Sequence, residues 1–202
     1  MIVLVSMRMV ENSTYPEKRD AISHDWSRLF SRLGIAPILV PNTLDDIDAY
    51  YDLGPSALLL TGGDNLGSSA KPSLRDITER RLLAGALTHK LPVFGACRGL
   101  QFINHYFGGD VERKLPEKHV GEHPVRLTDG NIIRINSFHD EGVLTKGLAP
   151  NLDIFAITDG GVVEAVRHKT LPITAIQWHP ERPNPAAELD QKLLGQWLAQ
   201  CA

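Results

Sequence analysis

The segment Leu91–Gly109 decides the fold, and it reads LPVFGACRGLQFINHYFGG. Its first residues are apolar and predict a buried strand, whereas Leu100, Ile103 and Phe107 share one face of the helix predicted after Cys97. A Gly-x-Cys-x-Gly sequence stands at the junction, where two glycines permit a tight turn that lifts the middle side chain above the sheet. The helix N-terminus favours a thiolate and offers backbone N–H groups to an oxyanion. We therefore predict that Cys97 is a catalytic nucleophile, although a single cysteine out of context is more often a buried apolar residue.

The rest of the chain alternates short apolar runs with longer amphipathic stretches, a pattern typical of βα units. Buried strands are predicted at Ile2–Ser6, Pro37–Val40, Ala57–Thr61, Leu91–Gly95 and Ile173–Trp178, and helices at 22–33, 74–87 and 189–198. Turn signals favour antiparallel hairpins for the segments Val125–Leu127, Ile132–Asn136, Leu152–Thr158 and Val162–Val166. We predict an α/β fold in one domain over residues 1–202, a three-layer, open, mostly parallel sheet with a small antiparallel portion.

Composition argues against several classes of protein. Of the 202 residues, 43% are hydrophobic and 22% are charged, which is typical of a globular domain. The formal net charge of −3, without a basic stripe, argues against nucleic-acid binding. Met1–Val5 is apolar but too short for a signal sequence or a membrane span, and two cysteines are too few for a disulfide framework. We expect a cytoplasmic protein that binds neither nucleic acid nor membrane, with Cys201 playing no part in its chemistry.

A thiol nucleophile needs a general base, and His179 is the best placed of the eight histidines. It follows the predicted strand Ile173–Trp178, at the edge where open α/β sheets bind ligands. Pro180 ends the strand, and Glu181 is near enough in sequence to hydrogen-bond the imidazole and fix its tautomer. Alone, His-Pro-Glu would more often be a surface turn, but with Cys97 it predicts a catalytic Cys–His–Glu set. In α/β-hydrolases, by contrast, the acid precedes the histidine along the chain.

No metal or organic cofactor is expected. His119, His123, Glu112 and Glu122 are potential ligands, but their spacing does not follow a zinc-binding pattern. Cys97 has no cysteine partner with which to form a thiolate metal site. We therefore predict chemistry carried by side chains and backbone alone.

The elbow Gly95–Gln101, the Gly-Gly pair at 108–109 and the tripeptide His179–Glu181 together resemble class I glutamine amidotransferase domains. Arg98 and Asn104 look more like the stand-alone γ-glutamyl hydrolase branch, the peptidase C26-like proteins that include γ-glutamyl-γ-aminobutyrate hydrolases. The resemblance extends over nearly the whole chain. It implies a flavodoxin-like sheet and hydrolysis of a γ-glutamyl amide through a thioester on the cysteine, without a cofactor.

The resemblance also implies an oxyanion hole. The strand Ala57–Thr61 runs into a Gly-Gly turn, and in the family this turn supplies one donor, here the backbone N–H of Gly63. The residue after the cysteine, here Arg98, supplies the other from its own backbone N–H. From the residues alone, an ordinary βα turn is an equally good interpretation.

Three further residues are implied to bind the substrate. Gln101 would bind the glutamyl group, as would the backbone around Ser137 and Phe138, in a stretch that resembles the family's Asn-Ser-x-His sequence. The family's Gln after that histidine is absent here, with Asp140-Glu141 nearby, which indicates altered recognition. A helix-surface role for Gln101 is the alternative.

The N-terminal segment bears on the leaving group. Arg8, Tyr15 and Arg19 surround the first βα loop, which in this architecture opens toward the active site. They allow two interpretations, a site for an anionic leaving group or the solvated first turn of a helix. The pattern Arg-x-x-x-Asn-x-Thr-Tyr-x-Glu-x-Arg resembles the γ-glutamyl-CDP-amidate hydrolases of bacterial capsule phosphoramidate pathways. This implies a small-molecule γ-glutamyl substrate with a nucleotide leaving group.

Three functions remain open from the sequence. The first is a stand-alone γ-glutamyl hydrolase, which Arg98 favours. The second is the glutaminase subunit of an amidotransferase that delivers ammonia to a synthase. The third is a binding protein without activity, against which the intact set of Cys97, His179 and Glu181 argues. The leaving amine, the oligomeric state and the pathway are not fixed by the sequence.

Overall fold

A ten-stranded sheet organises the chain in the computed structural model, which describes residues 1–43, 45–68, 70–115 and 119–201. The strands are β1 (Ile2–Ser6), β2 (Arg8–Glu11), β3 (Lys18–Ala21), β4 (Ala36–Val40), β5 (Ala57–Leu60), β6 (Val93–Ala96), β7 (His119–Leu127), β8 (Ile132–His139), β9 (Val143–Leu144), β10 (Leu152–Ile157), β11 (Val162–His168) and β12 (Ile173–Ile176). The helices are α1 (His24–Leu33), α2 (Asp48–Tyr51), α3 (Leu74–Thr88), α4 (Arg98–Tyr106) and α5 (Ala187–Leu198), and a 3₁₀ turn spans Thr145–Gly147.

Five strands form the parallel half of the sheet, in the order β4-β1-β5-β6-β12. The apolar runs of β1, β5 and β6 are buried on both faces, as expected where helices cover a parallel sheet on both sides. Pro37–Val40 was predicted to be buried as well, but β4 is the edge strand of the sheet and only its last residue is buried. The nucleophile elbow follows β6, and the His-Pro-Glu tripeptide follows its neighbour β12. Because both strands point the same way, the two motifs emerge at the same edge of the sheet.

The antiparallel half continues the same sheet beyond β12, in the order β11-β10-β7-β8, and β9 also pairs with β11. A separate two-stranded ribbon is formed by β2 and β3. The α/β class, the parallel centre and the presence of an antiparallel portion agree with the sequence predictions. Strands β7 and β8 are longer than predicted, because β7 begins at His119 and β8 runs on to His139.

Side chains alternate between two apolar cores, one on each face of the sheet. Leu4 and Leu58 point into the core that is covered by α2, α3 and α4. Val3 and Leu59, next to them in sequence, point into the core that is covered by α1 and α5. The alternation follows from the two-residue period of a strand, and it produces the predicted three layers.

Helix ends follow their sequence signals. Ser23 accepts a hydrogen bond from the backbone N–H of Asp25 at the start of α1, and Gly34 ends that helix with φ +65°, a left-handed conformation that glycine adopts without strain. Ser73 and Asp76 form a capping box at the start of α3. No helix in the described ranges is both long and apolar enough to cross a membrane.

Candidate active site

Cys97 occupies a strained elbow between β6 and α4. Its backbone has φ +54° and ψ −109°, a region that residues with a Cβ rarely adopt. The two glycines of the motif make this turn possible: a Cβ on Gly99 would lie 2.3 Å from the carbonyl oxygen of Leu60, and one on Gly95 would lie 2.9 Å from the carbonyl carbon of Gly99. The Gly-x-Cys-x-Gly spacing therefore follows from close packing of the helix start on β5 and β6.

His179 and Glu181 form a buried pair at the end of β12. His179 Nδ1 lies 2.7 Å from Glu181 Oε1, which leaves Nε2 for Cys97. Burial works to lower the pKa of His179, but hydrogen bonds to Cys97 and Glu181 and the charges of these two groups outweigh it and raise the pKa to about 9. The raised pKa favours a proton on the imidazole, between the Cys97 sulfur and the Glu181 carboxylate.

The side chain of Asn136 on β8 holds the backbone of His179 in place. Its amide group donates to the carbonyl oxygen of His179 at 2.8 Å, and its carbonyl oxygen accepts from the N–H of His179 at 2.9 Å. The same amide nitrogen donates to the carbonyl oxygen of Pro183. The antiparallel half of the sheet thereby fixes the position of the candidate base.

The Gly62–Gly63 turn approaches both side chains. A Cβ on Gly62 would lie 3.0 Å from His179 Cε1 and 3.2 Å from Cys97 Cβ, and Gly63 has φ +87°. Arg75, which is 1% exposed, donates from its guanidinium to the carbonyl oxygens of Thr61 at 2.7 Å, Gly62 at 3.1 Å and Gly63 at 2.7 Å. With its carbonyl groups bound to Arg75, the turn is held in one orientation beside the thiol.

The side chain of Arg98 points away from the active site. Its guanidinium forms buried ion pairs with Asp76 and Glu79 on α3, and Glu79 also accepts from Arg75 at 2.9 Å. Burial opposes ionisation of Asp76, but the charge of Arg98 and backbone hydrogen bonds hold the pKa of Asp76 below its usual value. Only the backbone N–H of Arg98, in the first turn of α4, is therefore available to an oxyanion.

A cavity of about 260 Å³ contains Cys97 and His179. Gln101 and Phe138 also line it, and their role in substrate binding stays a prediction. Gln101 donates to the carbonyl oxygen of Glu141 at 3.0 Å, and the Phe138 ring stands edge-on to the His179 ring at 5.6 Å. Ser137 is fully buried and does not line this cavity, so the predicted binding by the backbone around it stays a prediction.

The structure separates the three predicted N-terminal residues. Arg8 lines the cavity, where its side chain lies against Gly63 and 3.6 Å from Asp64. Tyr15 and Arg19 lie toward the far end of the β2–β3 ribbon, where Arg19 donates to the Tyr15 hydroxyl at 2.6 Å. A role for these two residues in substrate binding stays a prediction. The ribbon itself replaces the helix turn that was the alternative interpretation.

Several residues that support this site were not predicted from the sequence. Arg75, Asp76 and Glu79 orient the Gly62–Gly63 turn and the elbow, and Asn136 positions His179. The sequence contained one signal for the residues of α3. Arg75 and Glu79 are four residues apart and can therefore pair on one face of the helix, and Arg98 follows later in the chain. That these charges are buried depends on packing that a linear pattern does not contain.

A group of metal-ligand residues lies in the antiparallel half. His119, His123, His139 and Glu164 each offer one ligand atom, and these atoms lie within 4.8 Å of one another. Burial is the largest influence on His139 and lowers its pKa to about 4. The other two potential ligands considered in the sequence, Glu112 and Glu122, do not belong to this group.

Comparison with known proteins places this geometry in a family. The sequence profile described as Peptidase C26 matches residues 2–181. The chain belongs to the peptidase C26 family. It is 30% identical to the Gamma-glutamyl-CDP-amidate hydrolase of Campylobacter jejuni subsp. jejuni serotype O:2, over 98% of each chain. The prediction of an enzyme of the γ-glutamyl hydrolase type is confirmed at the level of this family.

Other relatives match over a shorter span or at lower identity. The chain is 30% identical to a component of the glutamine-hydrolyzing GMP synthase of Pyrococcus furiosus, over 76% of this chain and 80% of that protein. Among solved structures, a candidate GMP synthase component from Thermoplasma acidophilum aligns with 100% of this chain and 94% of its own, with a TM-score of 0.73 and 22% identity. This structural likeness confirms the class I glutamine amidotransferase fold.

Proposed function

We propose that the chain is a cysteine hydrolase that cleaves a γ-glutamyl amide bond to release glutamate and an amine. The observation that carries the proposal is the convergence of Cys97, the His179–Glu181 pair and the Gly62–Gly63 turn at one edge of the sheet. Each group has the chemistry that acyl transfer requires: a nucleophile, a proton carrier with an orienting carboxylate, and backbone donors for an oxyanion.

The reaction proceeds in two halves. The Cys97 sulfur, its proton transferred to His179, attacks the γ-carbonyl, and the N–H groups of Gly63 and Arg98 stabilise the negative charge on the carbonyl oxygen. His179 gives its proton to the leaving nitrogen, so that the C–N bond breaks and a thioester remains. A water molecule that loses its proton to His179 then attacks the thioester, which releases glutamate and returns the proton to the sulfur.

The leaving group is proposed to be anionic, as in γ-glutamyl-CDP-amidate. Two arginines support this: Arg8 and Arg182 both line the cavity, and their side chains are 48% and 33% exposed. Arg182 lies over the Phe138 ring at 4.6 Å, so an aromatic surface adjoins the charge. Guanidinium groups bind phosphate oxygens through paired hydrogen bonds, and the full-length relative from Campylobacter jejuni is named for such a substrate.

The test compares three substrates: γ-glutamyl-CDP-amidate, γ-glutamyl-γ-aminobutyrate and glutamine. We expect the highest kcat/KM for the nucleotide conjugate, because binding energy from a remote part of the substrate can be used in the transition state. Arg8→Ala should lower kcat/KM for that conjugate by about 10- to 150-fold, the equivalent of about 1.5–3 kcal/mol for one charge-assisted contact, and change glutamine hydrolysis little. Arg126→Ala is the matched control, because Arg126 on β7 is 49% exposed and paired with Asp159, much as Arg8 is with Asp64, but does not line the cavity. Equal losses on both substrates in Arg8→Ala would reject the anionic leaving group.

A glutaminase that serves a synthase is the second candidate, and the similarity to the Pyrococcus furiosus protein favours it. A glutaminase recognises little beyond glutamine, since ammonia leaves without contacts. It would hydrolyse glutamine faster than either conjugate and would accelerate further when a synthase partner is added. That result would replace the hydrolase proposal.

A further inference from the structure

Four side chains from three strands meet in the antiparallel half of the sheet, and all but that of His123 are buried. His119 and His123 are four residues apart on β7 and therefore share one face of it. His139 is the cross-strand partner of His119 on β8, and their rings stack at 4.9 Å. Glu164 comes from β11 and is fully buried. We define these four residues as the histidine cluster.

Four of the six distances between ligand atoms of the histidine cluster are close to those of a metal coordination shell, and all four atoms lie within 4.8 Å of one another. Glu164 Oε1 lies 3.4 Å from His119 Nδ1, 3.6 Å from His123 Nε2 and 3.7 Å from His139 Nε2, and His119 Nδ1 lies 3.3 Å from His123 Nε2. In a tetrahedral zinc site with bonds of about 2.0–2.2 Å, neighbouring ligand atoms are about 3.3–3.6 Å apart. The ligand atoms are therefore nearly positioned around a common centre, before any adjustment of rotamers.

Among the described residues, the negative charge of Glu164 in the histidine cluster has no permanent positive charge bound to it. Glu164 is buried, and within the described ranges neither of its carboxylate oxygens has a hydrogen-bond partner. His139 Nδ1 lies 2.9 Å from the carbonyl oxygen of Glu141, which requires that this nitrogen carry the proton. Its Nε2 lone pair then faces the carboxylate, and two electron-rich atoms repel each other unless a cation lies between them.

The ring nitrogens that do not face the centre of the cluster also support a role as metal ligands. Metal-binding histidines commonly donate their other ring N–H to a backbone carbonyl, which fixes the tautomer and the orientation of the ring. His139 does so with Glu141, and His123 Nδ1 lies 3.3 Å from the carbonyl oxygen of Pro124. Both rings thus present Nε2 to the centre of the cluster.

We propose that His119, His123, His139 and Glu164 bind one divalent transition-metal ion, with Zn²⁺ the best match. Three imidazoles and a carboxylate suit zinc, and they fill all four positions of a tetrahedral shell, so the site is structural. A bound ion would tie β7 and β8 to β11. It would act on the active site indirectly, because β8 also carries Asn136, which holds His179. The inference does not depend on the proposed reaction.

The competing explanation is a network in which a proton, shared between the histidines and Glu164, replaces the metal ion. The test is made on the full chain without an affinity tag, grown with added zinc. We expect one equivalent of zinc per chain by plasma mass spectrometry, and a melting temperature that falls on treatment with a chelator and recovers with Zn²⁺. Replacement by Co²⁺ should produce the visible absorption bands of a tetrahedral cobalt site.

Two variants and a control locate the ion. His123→Ala is the mild variant, because His123 is at the edge of the cluster, and Glu164→Gln removes the charge within it. Each should weaken zinc affinity by more than the roughly 10- to 100-fold loss typical of residues that only support a ligand. The control His24→Ala changes an exposed histidine of α1 and should bind zinc as the parent does. A folded parent protein without zinc, and with a melting temperature that neither chelator nor Zn²⁺ changes, would overturn the proposal in favour of the shared proton.

Discussion

Replacing Glu181 by Gln tests the assignment of the catalytic pair most directly. The change keeps the size of the side chain but removes the charge that accepts from His179 Nδ1 at 2.7 Å. The rise in the pKa of His179 from 6.5 to about 9 corresponds to a preference of about 3 kcal/mol for the imidazolium form. Cys97 contributes part of this preference, so for Glu181 we take about 2 kcal/mol, a usual value for a hydrogen bond to a charged group.

The expected loss in kcat/KM for Glu181→Gln is therefore about 30-fold at neutral pH. His179→Ala should lower kcat/KM far more, because it removes the group that transfers the proton. Glu181 only orients the imidazole and favours its protonated form. The matched assay is the rate of glutamate release by both variants and the parent on one γ-glutamyl substrate. A loss in Glu181→Gln that equals the loss in His179→Ala would refute this division of roles.

The pH profile provides a second, independent check. The parent should lose activity as the pH rises through about 9, where His179 loses the proton that the leaving nitrogen needs. In Glu181→Gln this alkaline limb should shift toward lower pH. The raised pKa of His179 also affects the stability of the fold. Its stabilising contribution is complete below pH 6.5 and disappears as the pH rises through about 9. An alkaline limb that does not move would contradict the pairing of His179 with Glu181.

Two further predictions concern the elbow and its packing. Cys97→Ala should reduce turnover by orders of magnitude, whereas Cys201→Ala should leave it unchanged, and activity that survives in the first variant would end the cysteine mechanism. Gly99→Ala should lower the free energy of unfolding by about 1–3 kcal/mol in urea titrations, because the new Cβ would lie 2.3 Å from the Leu60 carbonyl oxygen. Its control is Gly195→Ala in α5, where a Cβ meets nothing within 4 Å and helix propensity predicts a gain of about 0.5–1 kcal/mol. Similar stability in the two variants would show that Gly99 is not required for packing.

The parallel half of the fold was predictable because its signals are local. The strands β1, β5 and β6 are continuous apolar runs, and the alternation of these runs with helices is repeated along the chain. The ribbon of β2 and β3 was not predicted, since its charged residues are mostly exposed and carry no apolar alternation. The full length of β7 was also missed, because Gly121, Glu122 and Pro124 interrupt the pattern that marks a strand.

For the candidate site, the sequence indicated the candidate reactive groups but not the residues that position them. Cys97 and His179 each follow an apolar strand within a recognisable motif, and the structure brings them together. Arg75 and Asn136 form hydrogen bonds to backbone atoms of segments that are distant in sequence. Contacts of this kind do not produce a recognisable spacing of residues along the chain. The histidine cluster was not predicted for the same reason. Zinc-binding sequence patterns consist of ligands close together in the chain, whereas the residues of this cluster come from three strands.

The backbone conformation of Cys97 lowers the stability of the fold at the residue proposed to carry the activity. At φ +54° and ψ −109°, a glycine at this position would be relaxed, while every residue with a Cβ is under strain. A glycine at position 97 would therefore stabilise the fold at the cost of the thiol. Selection for stability alone would favour that change, so the strain at Cys97 is stability that the proposed cysteine mechanism gives up.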